Sequence, residues 1–286
     1  WRLQPGKIFL IDMKQGRIVE DEEIKNQLID KRPWKRWIDH YMVHLESLPE
    51  PAEVQQPDHE TLLKRQHVFG YTREDIKIIL GPMAINGEEP LGSMGNDTAL
   101  ACLSEKPQLL YDYFKQLFAQ VTNPPLDAIR EALVTSLYTY LGGEGNLLDE
   151  QPHYCHVLKL SQPILSNHEF EKIRQIQDES LRPVTLPMLF SATGGDGALE
   201  YSLNNLCHNA AEAVREGYSI LILSDRGVDE GHAPIPSLLA AAAVHHTLIR
   251  EGIRTQCSLV IESGEAREAH HFCLLLGYGA SAVNPY

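Results

Sequence analysis

Residues Ser219–Ser224 read SILILS, Ser258–Glu262 read SLVIE and Ala280–Val283 read ASAV. Each is a short apolar run without clean alternation, the pattern of a strand buried on both faces in a parallel sheet. Between them lie Pro236–Arg250 and Ala266–Leu276, rich in Leu and Ala at helical spacing. Strand, crossover helix and strand in that order predict an α/β domain with a parallel sheet. Upstream, Val184–Phe190 is a further candidate strand, leading through Thr193-Gly194-Gly195-Asp196-Gly197 into a helix over Leu199–Arg215. The order alone leaves barrel and open sheet both available. The expected core is Leu221, Ile222, Val260, Ile261, Ala282 and Val283 on adjacent strands, covered from helices by Leu238, Leu239, Ala242, Leu274 and Leu275.

Ahead of these repeats the pattern is helical. Thr72–Leu80 opens on a capping Thr followed by acidic residues, with Ile and Leu at helical spacing. Leu109–Val121 places Leu110, Phe114, Leu117, Phe118 and Val121 on one stripe, which predicts an amphipathic helix with Tyr111, Tyr113 and Phe114 as packing residues. A second helix is expected over Leu126–Leu137, just after Pro124-Pro125. At the start of the chain, Lys7–Asp12 (KIFLID) predicts a buried strand, Gln15-Gly16 a turn, Arg17–Val19 a return strand, and Asp21–Lys31 a helix whose acidic first turn suits its dipole. Lys31–Ile38 is basic and Trp-rich, and reads as a solvated face or interdomain contact. Leu48–Asp58 carries three prolines and reads as a linker.

Composition excludes several classes. Thirty-nine acidic against twenty-five basic side chains give a formal charge of −14, which argues against a nucleic-acid partner. No apolar run approaches the ~18 residues of a membrane span, and the first residues lack the apolar core of a signal peptide. The five cysteines, Cys102, Cys155, Cys207, Cys257 and Cys273, are scattered without a C-x-x-C pair. A disulfide framework or cysteine-rich zinc site is therefore not expected, and a reducing, cytoplasmic setting is. The chain begins at Trp1 without an initiator Met and ends at Tyr286 directly after an apolar run, so a piece of a longer polypeptide is expected.

Chemistry in such a fold belongs at the C-terminal ends of the strands. There the chain reads Ser224-Asp225-Arg226-Gly227, Glu262-Ser263-Gly264-Glu265-Ala266-Arg267 and Asn284-Pro285-Tyr286. Asp225, Glu262 and Glu265 are either an acid–base cluster or ion-pair partners of Arg226, Arg254 or Arg267. Thr193–Gly197 lacks the Gly-Lys-Ser/Thr ending of a phosphate loop. The pairs His245-His246 and His270-His271 are adjacent, and neighbours on a helix point about 100° apart, too far to chelate one metal. No G-x-S-x-G elbow accompanies Ser224. No catalytic, cofactor-binding or metal-ligating set is assigned.

Three blocks carry a resemblance: GSMGNDTALACLSEKPQLLYDYFKQLFAQVTNPPLDAIRE at Gly92–Glu131, LSDRGVD at Leu223–Asp229 with APIP at Ala233–Pro236, and ESGEAREAHHFCLLLGYGASAVNPY at Glu262–Tyr286. Together they resemble the central domain of glutamate synthase, and the opening strand, turn and EDEEIK helix resemble the tail of that family's glutaminase domain. The resemblance implies residues 1–32 as glutaminase tail, 33–66 as linker and helical connection, and 67–286 as central α/β domain. It implies a non-catalytic part of an oxidoreductase acting on CH-NH2 donors, with a rudimentary relative of the FMN-barrel topology. That part joins the glutaminase and FMN-binding domains of one polypeptide.

Gly277–Val283 is similar to the helix-to-strand passage of FMN barrels, but Asn284-Pro285 follows where a phosphate-cradling glycine would stand, and proline has no N–H to give. No cofactor is expected in this chain. FMN, an iron–sulfur cluster and an electron-donor subunit or ferredoxin are expected of the parent enzyme, in a cytoplasmic or plastid setting. The glutaminase nucleophile and the iron–sulfur cysteines are absent, so the isolated chain is expected to be inactive. The implied contribution is to an ammonia tunnel. Thr122 and Asn123, with Ser93, Met94, Gly95 and Asn96, are the expected lining: uncharged groups that offer no proton exchange to neutral ammonia. The competing readings are a free-standing barrel-like enzyme binding a phosphorylated ligand at Ser263–Arg267 and Gly279–Asn284, and an interdomain scaffold without a transport role.

Overall fold

A computed structural model describes residues 2–55, 59–88, 90, 99–115 and 125–286. Near its start, β1 (Leu10–Asp12) and β2 (Arg17–Val19) form an antiparallel hairpin with Leu10 opposite Val19. Asp12 accepts from the backbone N–H of Lys14 and Gln15, and Gly16 at φ 64° closes the turn. α1 (Asp21–Asp30) follows with Asp21, Glu22 and Glu23 in its first turn, then α2 (Trp34–Tyr41). The expectation of a buried strand over Lys7–Asp12 is not met. Leu10 and Ile11 are 45% and 51% exposed, because β1 and β2 form a two-stranded sheet of their own that is left open on both faces.

The connection carries β3 (Val43–His44) and α3 (Leu62–Val68). Thr72 and Asp75 cap each other's backbone reciprocally, as the sequence suggests, and Asp75–Leu80 is a π-helical stretch that runs into α4 (Gly81–Asn86). The amphipathic α-helix expected from Leu109 is not formed over the described part. Leu110–Phe114 is a 3-10 helix that gives way to extended backbone at Lys115. The cause is Tyr111, fully buried, whose hydroxyl lies 2.5 Å from Ser237 Oγ and whose ring stacks on His271. Residues 116–121 of that expected helix lie outside the described residues. α5 (Ala128–Val134) is shorter than expected and starts where Asp127 accepts from the N–H of Arg130.

The rest is the α/β unit. β4 (Thr139–Leu141) and β5 (Leu158–Leu160) join β3 in a sheet of order β3-β5-β4. α6 (Asn167–Arg174) begins with a complete capping box between Ser166 and Glu169. Then come β6 (Pro183–Pro187), β7 (Leu189–Ser191), α7 (Ala198–Arg215), β8 (Ile220–Ser224), β9 (His232–Pro234), α8 (Ser237–Arg250), β10 (Ser258–Glu262), α9 (Ala269–Gly277) and β11 (Ala282–Asn284). The expected strand Val184–Phe190 is broken at Met188. β6 stays in the main sheet, while β7 leaves it to pair antiparallel with β9.

The main sheet has the order β11-β10-β8-β6, all parallel, with Val260 beside both Ile222 and Ala282. Its alternating residues separate two cores. Leu221, Leu223, Leu259, Ile261 and Val283 pack with α7, α8 and α9 through Leu206, Leu238, Val244 and Leu275. Ile220, Ile222, Val260 and Ala282 pack the other way, against Phe170 and Ile173 of α6 and Leu141, Leu158 and Leu160 of the second sheet. The six expected core residues thus lie on adjacent parallel strands, but Ile222, Val260 and Ala282 face away from α8 and α9. Leu239, Ala242 and Leu274 are only partly buried.

The winding explains the two faces. Steps from β6 to β8 to β10 to β11 go one way along the sheet, and one crossover hand puts α7, α8 and α9 on one side. Ile164 pairs in parallel with Val283 beyond β11, and the chain then returns through α6 to β6 at the other edge. The reversed step puts α6 on the opposite side. The result is an open α/β sheet among the described residues.

Candidate functional site

The last residue of β10, Glu262, stands level with Ser224 and Asn284 in the sheet and is fully buried. A carboxylate in that position needs compensation. Ser224 Oγ donates to its Oε2 at 2.5 Å, Arg226 Nε donates to Oε1, and Arg174 Nη2 from α6 forms an ion pair at 2.7 Å. The Arg226 guanidinium also lies 3.9 Å from the centre of the Tyr286 ring.

The neighbouring carboxylate, Asp225, has no basic partner among the described residues. Its Oδ2 accepts from Ser263 Oγ at 2.6 Å, and its Oδ1 accepts from the Tyr286 hydroxyl at 2.5 Å and the Gly264 N–H at 3.3 Å. Burial lifts its pKa to about 7 against the pull of those donors. The third carboxylate, Glu265, accepts from the backbone N–H and hydroxyl of Ser237 at 2.8 and 2.6 Å, and so caps the first turn of α8.

This geometry bears on anion binding. In the turn after β10, Ser263 N–H donates to the Asn284 carbonyl, Gly264 N–H to Asp225 and Glu265 N–H to Ser263 Oγ. The donors that would cradle a phosphate are spent on the chain's own groups, those of Ser263 Oγ and the Gly264 N–H on Asp225. The space is filled as well. A Cβ on Gly264 would lie 2.7 Å from Phe69 Cε2, and the Tyr71 hydroxyl donates to the Gly264 carbonyl at 2.8 Å. The residues here do not fit a flavin phosphate.

A second layer closes over the turn. Arg267 is buried, donates to the Phe69 carbonyl at 2.8 Å, faces Asp75 at 3.6 Å and lies over the Tyr71 ring at 3.9 Å. Its backbone N–H donates to His271 Nδ1 at 3.2 Å, and His271 stacks on Tyr111 with ring centres 4.2 Å apart. Burial, with Arg267 nearby, lowers the His271 pKa to about 3, so its ring is neutral. The arrangement can hold segments together, and Phe69 fills the space beside Gly264.

Residues 64–286 match the family described as "Glutamate synthase central domain". The chain belongs to the glutamate synthase central-domain family. Residues 1–37 match class-II glutamine amidotransferases. Over its whole length the chain is 49% identical to "Glutamate synthase [NADPH] large chain" of Bacillus subtilis, of which it spans 18%. It is 43% identical to "Glutamate synthase [NADH]" of Schizosaccharomyces pombe, spanning 14% of it. It is 39% identical to the chloroplastic ferredoxin-dependent glutamate synthase of Spinacia oleracea, spanning 18%. The chain is thus less than a fifth of the length of these relatives.

The positions read from the sequence of this central domain sort as follows. Asp225, Glu262 and Glu265 do gather, with Arg226 on Glu262. Arg254 lies elsewhere, bonded to His245 and to the carbonyls of Cys257 and Gly279. Arg267 turns to Asp75 and Phe69. Asn284 ends β11 beside the Ser263 turn, where its carbonyl accepts the Ser263 N–H, while Gly279 precedes the other end of β11, where an added Cβ would strike His245, so Gly279 does not combine with Ser263–Arg267 into one ligand turn.

Thr193–Gly197 closes on itself through Gly194 N–H to the Ser191 carbonyl and Ala198 N–H to that of Gly195. Among the described residues, no three His, Cys, Asp or Glu side chains gather to hold a metal, and no helix is long and apolar enough to cross a membrane. Thr122, Asn123, Ser93, Met94, Gly95 and Asn96 lie outside the described residues. The reading of the sequence missed Arg174, Phe69, Tyr71 and the Tyr111–His271 stack. Only the last had a local signal, a buried-type aromatic in a helical stretch.

Proposed function

We propose that this chain connects the glutaminase and FMN-binding domains of a glutamate synthase and helps to carry ammonia between them. The parent reaction on this reading is reductive synthesis of glutamate from glutamine and 2-oxoglutarate. The proposed division is glutaminase tail at 1–32, connection at 33–66 and central domain at 67–286. The amidotransferase match over 1–37 and the central-domain match from 64 support it. The exposed apolar side chains of Ile8, Leu10, Ile11 and Ile18, spread over both faces of the hairpin, fit a segment that packs against further parts of its own domain.

The observation that supports the non-catalytic reading is a strand-end turn whose donors are already spent on the chain's own groups. Asp225 takes the donors that a phosphate would need at this turn, which supports an FMN site in another part of the parent; on the same reading the iron–sulfur cluster and the electron donor belong to other parts too. The donor is a nicotinamide-linked subunit or ferredoxin, since relatives of both printed kinds are similar. The setting is cytoplasmic, or plastid as for the chloroplastic relatives.

Ammonia released from glutamine must arrive unprotonated, because ammonium has no lone pair with which to attack a carbonyl. A passage that excludes bulk water and offers hydroxyls and amides meets that need. Thr122 and Asn123, with Ser93–Asn96, supply such groups. In the full-length enzyme, Asn123→Trp should keep its flavin and its glutaminase activity while consuming more glutamine than the 2-oxoglutarate it aminates. Matched consumption in that variant would return these residues to a structural role.

A further inference from the structure

The loop that leads from β4 to the 3-10 helix Pro152–Cys155 is fixed at its root and apolar at its tip. At the root, Ser258 Oγ accepts the Gly142 N–H and donates to the Gly142 carbonyl, each at 3.1 Å. The Glu144 N–H donates to the Thr255 carbonyl at 2.7 Å. Gly145 lies so close to Tyr154 that an added Cβ would sit 2.1 Å from its ring. At the tip, Asn146 Oδ1 accepts the Leu148 N–H and the Asn146 carbonyl accepts the Asp149 N–H, both at 3.0 Å. That turn holds Leu147 and Leu148 outward, 93% and 95% exposed. Two leucines presented to water by an ordered turn favour burial against a partner.

The tip borders a cleft of about 770 Å³. Leu147, Tyr138 and Tyr140 belong to one wall, and Trp34 and Trp37 of α2 to another. The two indole rings meet edge to face with centres 5.3 Å apart. The walls are tied together at the base of the turn. Lys31, just before α2, pairs with Glu150 at 2.7 Å, and Arg32 lies 3.8 Å from the same carboxylate. Clustered aromatic and leucine side chains with a charged margin are the make-up of a protein interface.

We propose that the Leu147-Leu148 tip, with Trp34, Trp37 and Tyr140, is the surface on which the body of the amidotransferase domain docks. This rests on the connecting role proposed above. Continuity names the occupant. Lys31, Arg32, Trp34 and Trp37 lie within the stretch that matches class-II glutamine amidotransferases, whereas the loop lies within the central-domain match. The cleft thus has one wall from each family. The amidotransferase stretch also leaves Ile8, Leu10, Ile11 and Ile18 open on its hairpin. A domain whose last segment is paired to Glu150 is held beside the tip at high effective concentration. The partner surface is an apolar recess that takes two leucine side chains.

The test uses the full-length enzyme with Leu147 replaced by a photoreactive benzoylphenylalanine. After irradiation and digestion, mass spectrometry should find position 147 joined to peptides of the amidotransferase domain. Adducts confined to the flavin-binding part or to a second copy of the chain overturn the proposal, as does the absence of any adduct. Should the substituted enzyme fail to accumulate, hydroxyl-radical footprinting of the unmodified enzyme decides. Leu147 and Leu148 should then be oxidised as slowly as the fully buried Leu158 and Leu160. Oxidation at the rate of a freely exposed leucine overturns the docking. Glutamine hydrolysis by the same preparation separates the two readings. An enzyme that hydrolyses glutamine while its tip stays reactive overturns the docking and spares the connecting role. A full-length protein that hydrolyses no glutamine overturns the connecting role, and the docking with it.

Discussion

The Tyr71 hydroxyl donates to the Gly264 carbonyl at 2.8 Å while the Tyr71 ring lies 3.9 Å under the Arg267 guanidinium. One side chain thus grips the turn after β10 at two points, and Phe69 fills the space between. Glycine at 264 is required by that close approach, since an added Cβ would sit 2.7 Å from the Phe69 ring.

Gly264→Ala should therefore destabilise the chain by about 1–3 kcal/mol, the usual cost of overpacking. Adding Phe69→Leu should recover part of the loss, because the clash is with that ring. Urea midpoints of the single and double variants check this. Equal loss in both would place the strain elsewhere.

Asp225 makes stability depend on pH. Its ordinary value is 3.8 and burial raises it to about 7, so between those values the folded chain keeps a proton that the unfolded chain has released. Its contribution is complete below the unfolded value and is lost as pH rises through the folded one. Asp225→Asn stays neutral, accepts from Tyr286 and Gly264 through its oxygen and offers its amide to Ser263. The variant should gain on wild type as pH rises from about 5 to about 8. A constant difference in denaturation midpoint across that range would show that Asp225 is ionised throughout.

The strand pattern was largely legible in the sequence, because the SILILS and SLVIE runs have one physical explanation: burial on both faces. Which face each residue serves was not legible. That depends on α6 crossing behind the sheet from the Ile164 edge, a long-range fact absent from local periodicity. The Leu110–Phe114 stripe misled for a related reason. Its spacing suits an α-helix, but a buried stack on His271 and a bond to Ser237 decide the backbone of Tyr111. At the site, the carboxylates could be read from their place after the strands. Their partners could not, since Arg174, Phe69 and Tyr71 arrive from distant parts of the chain.

Ile222 tests the two-faced sheet. It is fully buried, one position from Leu221, and belongs with Phe170 and Ile173 in the core on the α6 side. Ile222→Ala should cost about 2–5 kcal/mol. Hydrogen-exchange protection should fall first in α6 and the β3-β5-β4 sheet. Loss centred on α8 and α9 would contradict the assignment of faces.

The spent donors of the turn after β10 predict that the purified chain is colourless. Added FMN or inorganic phosphate should neither comigrate with it in gel filtration nor raise its melting temperature. A stoichiometric flavin spectrum that survives gel filtration would mean that Asp225 yields the turn to a phosphate.

The central claim is that ammonia passes this domain without mixing with the solvent. The most direct measurement supplies the full-length enzyme with glutamine carrying a heavy-nitrogen amide, in a large excess of unlabelled ammonium, and follows the label into glutamate formed from 2-oxoglutarate. Wild type should deliver the label undiluted. Asn123→Trp should release labelled ammonia to the medium, with labelled glutamate falling while glutamine hydrolysis continues. Undiminished labelled glutamate from that variant, at the wild-type rate, would contradict the account.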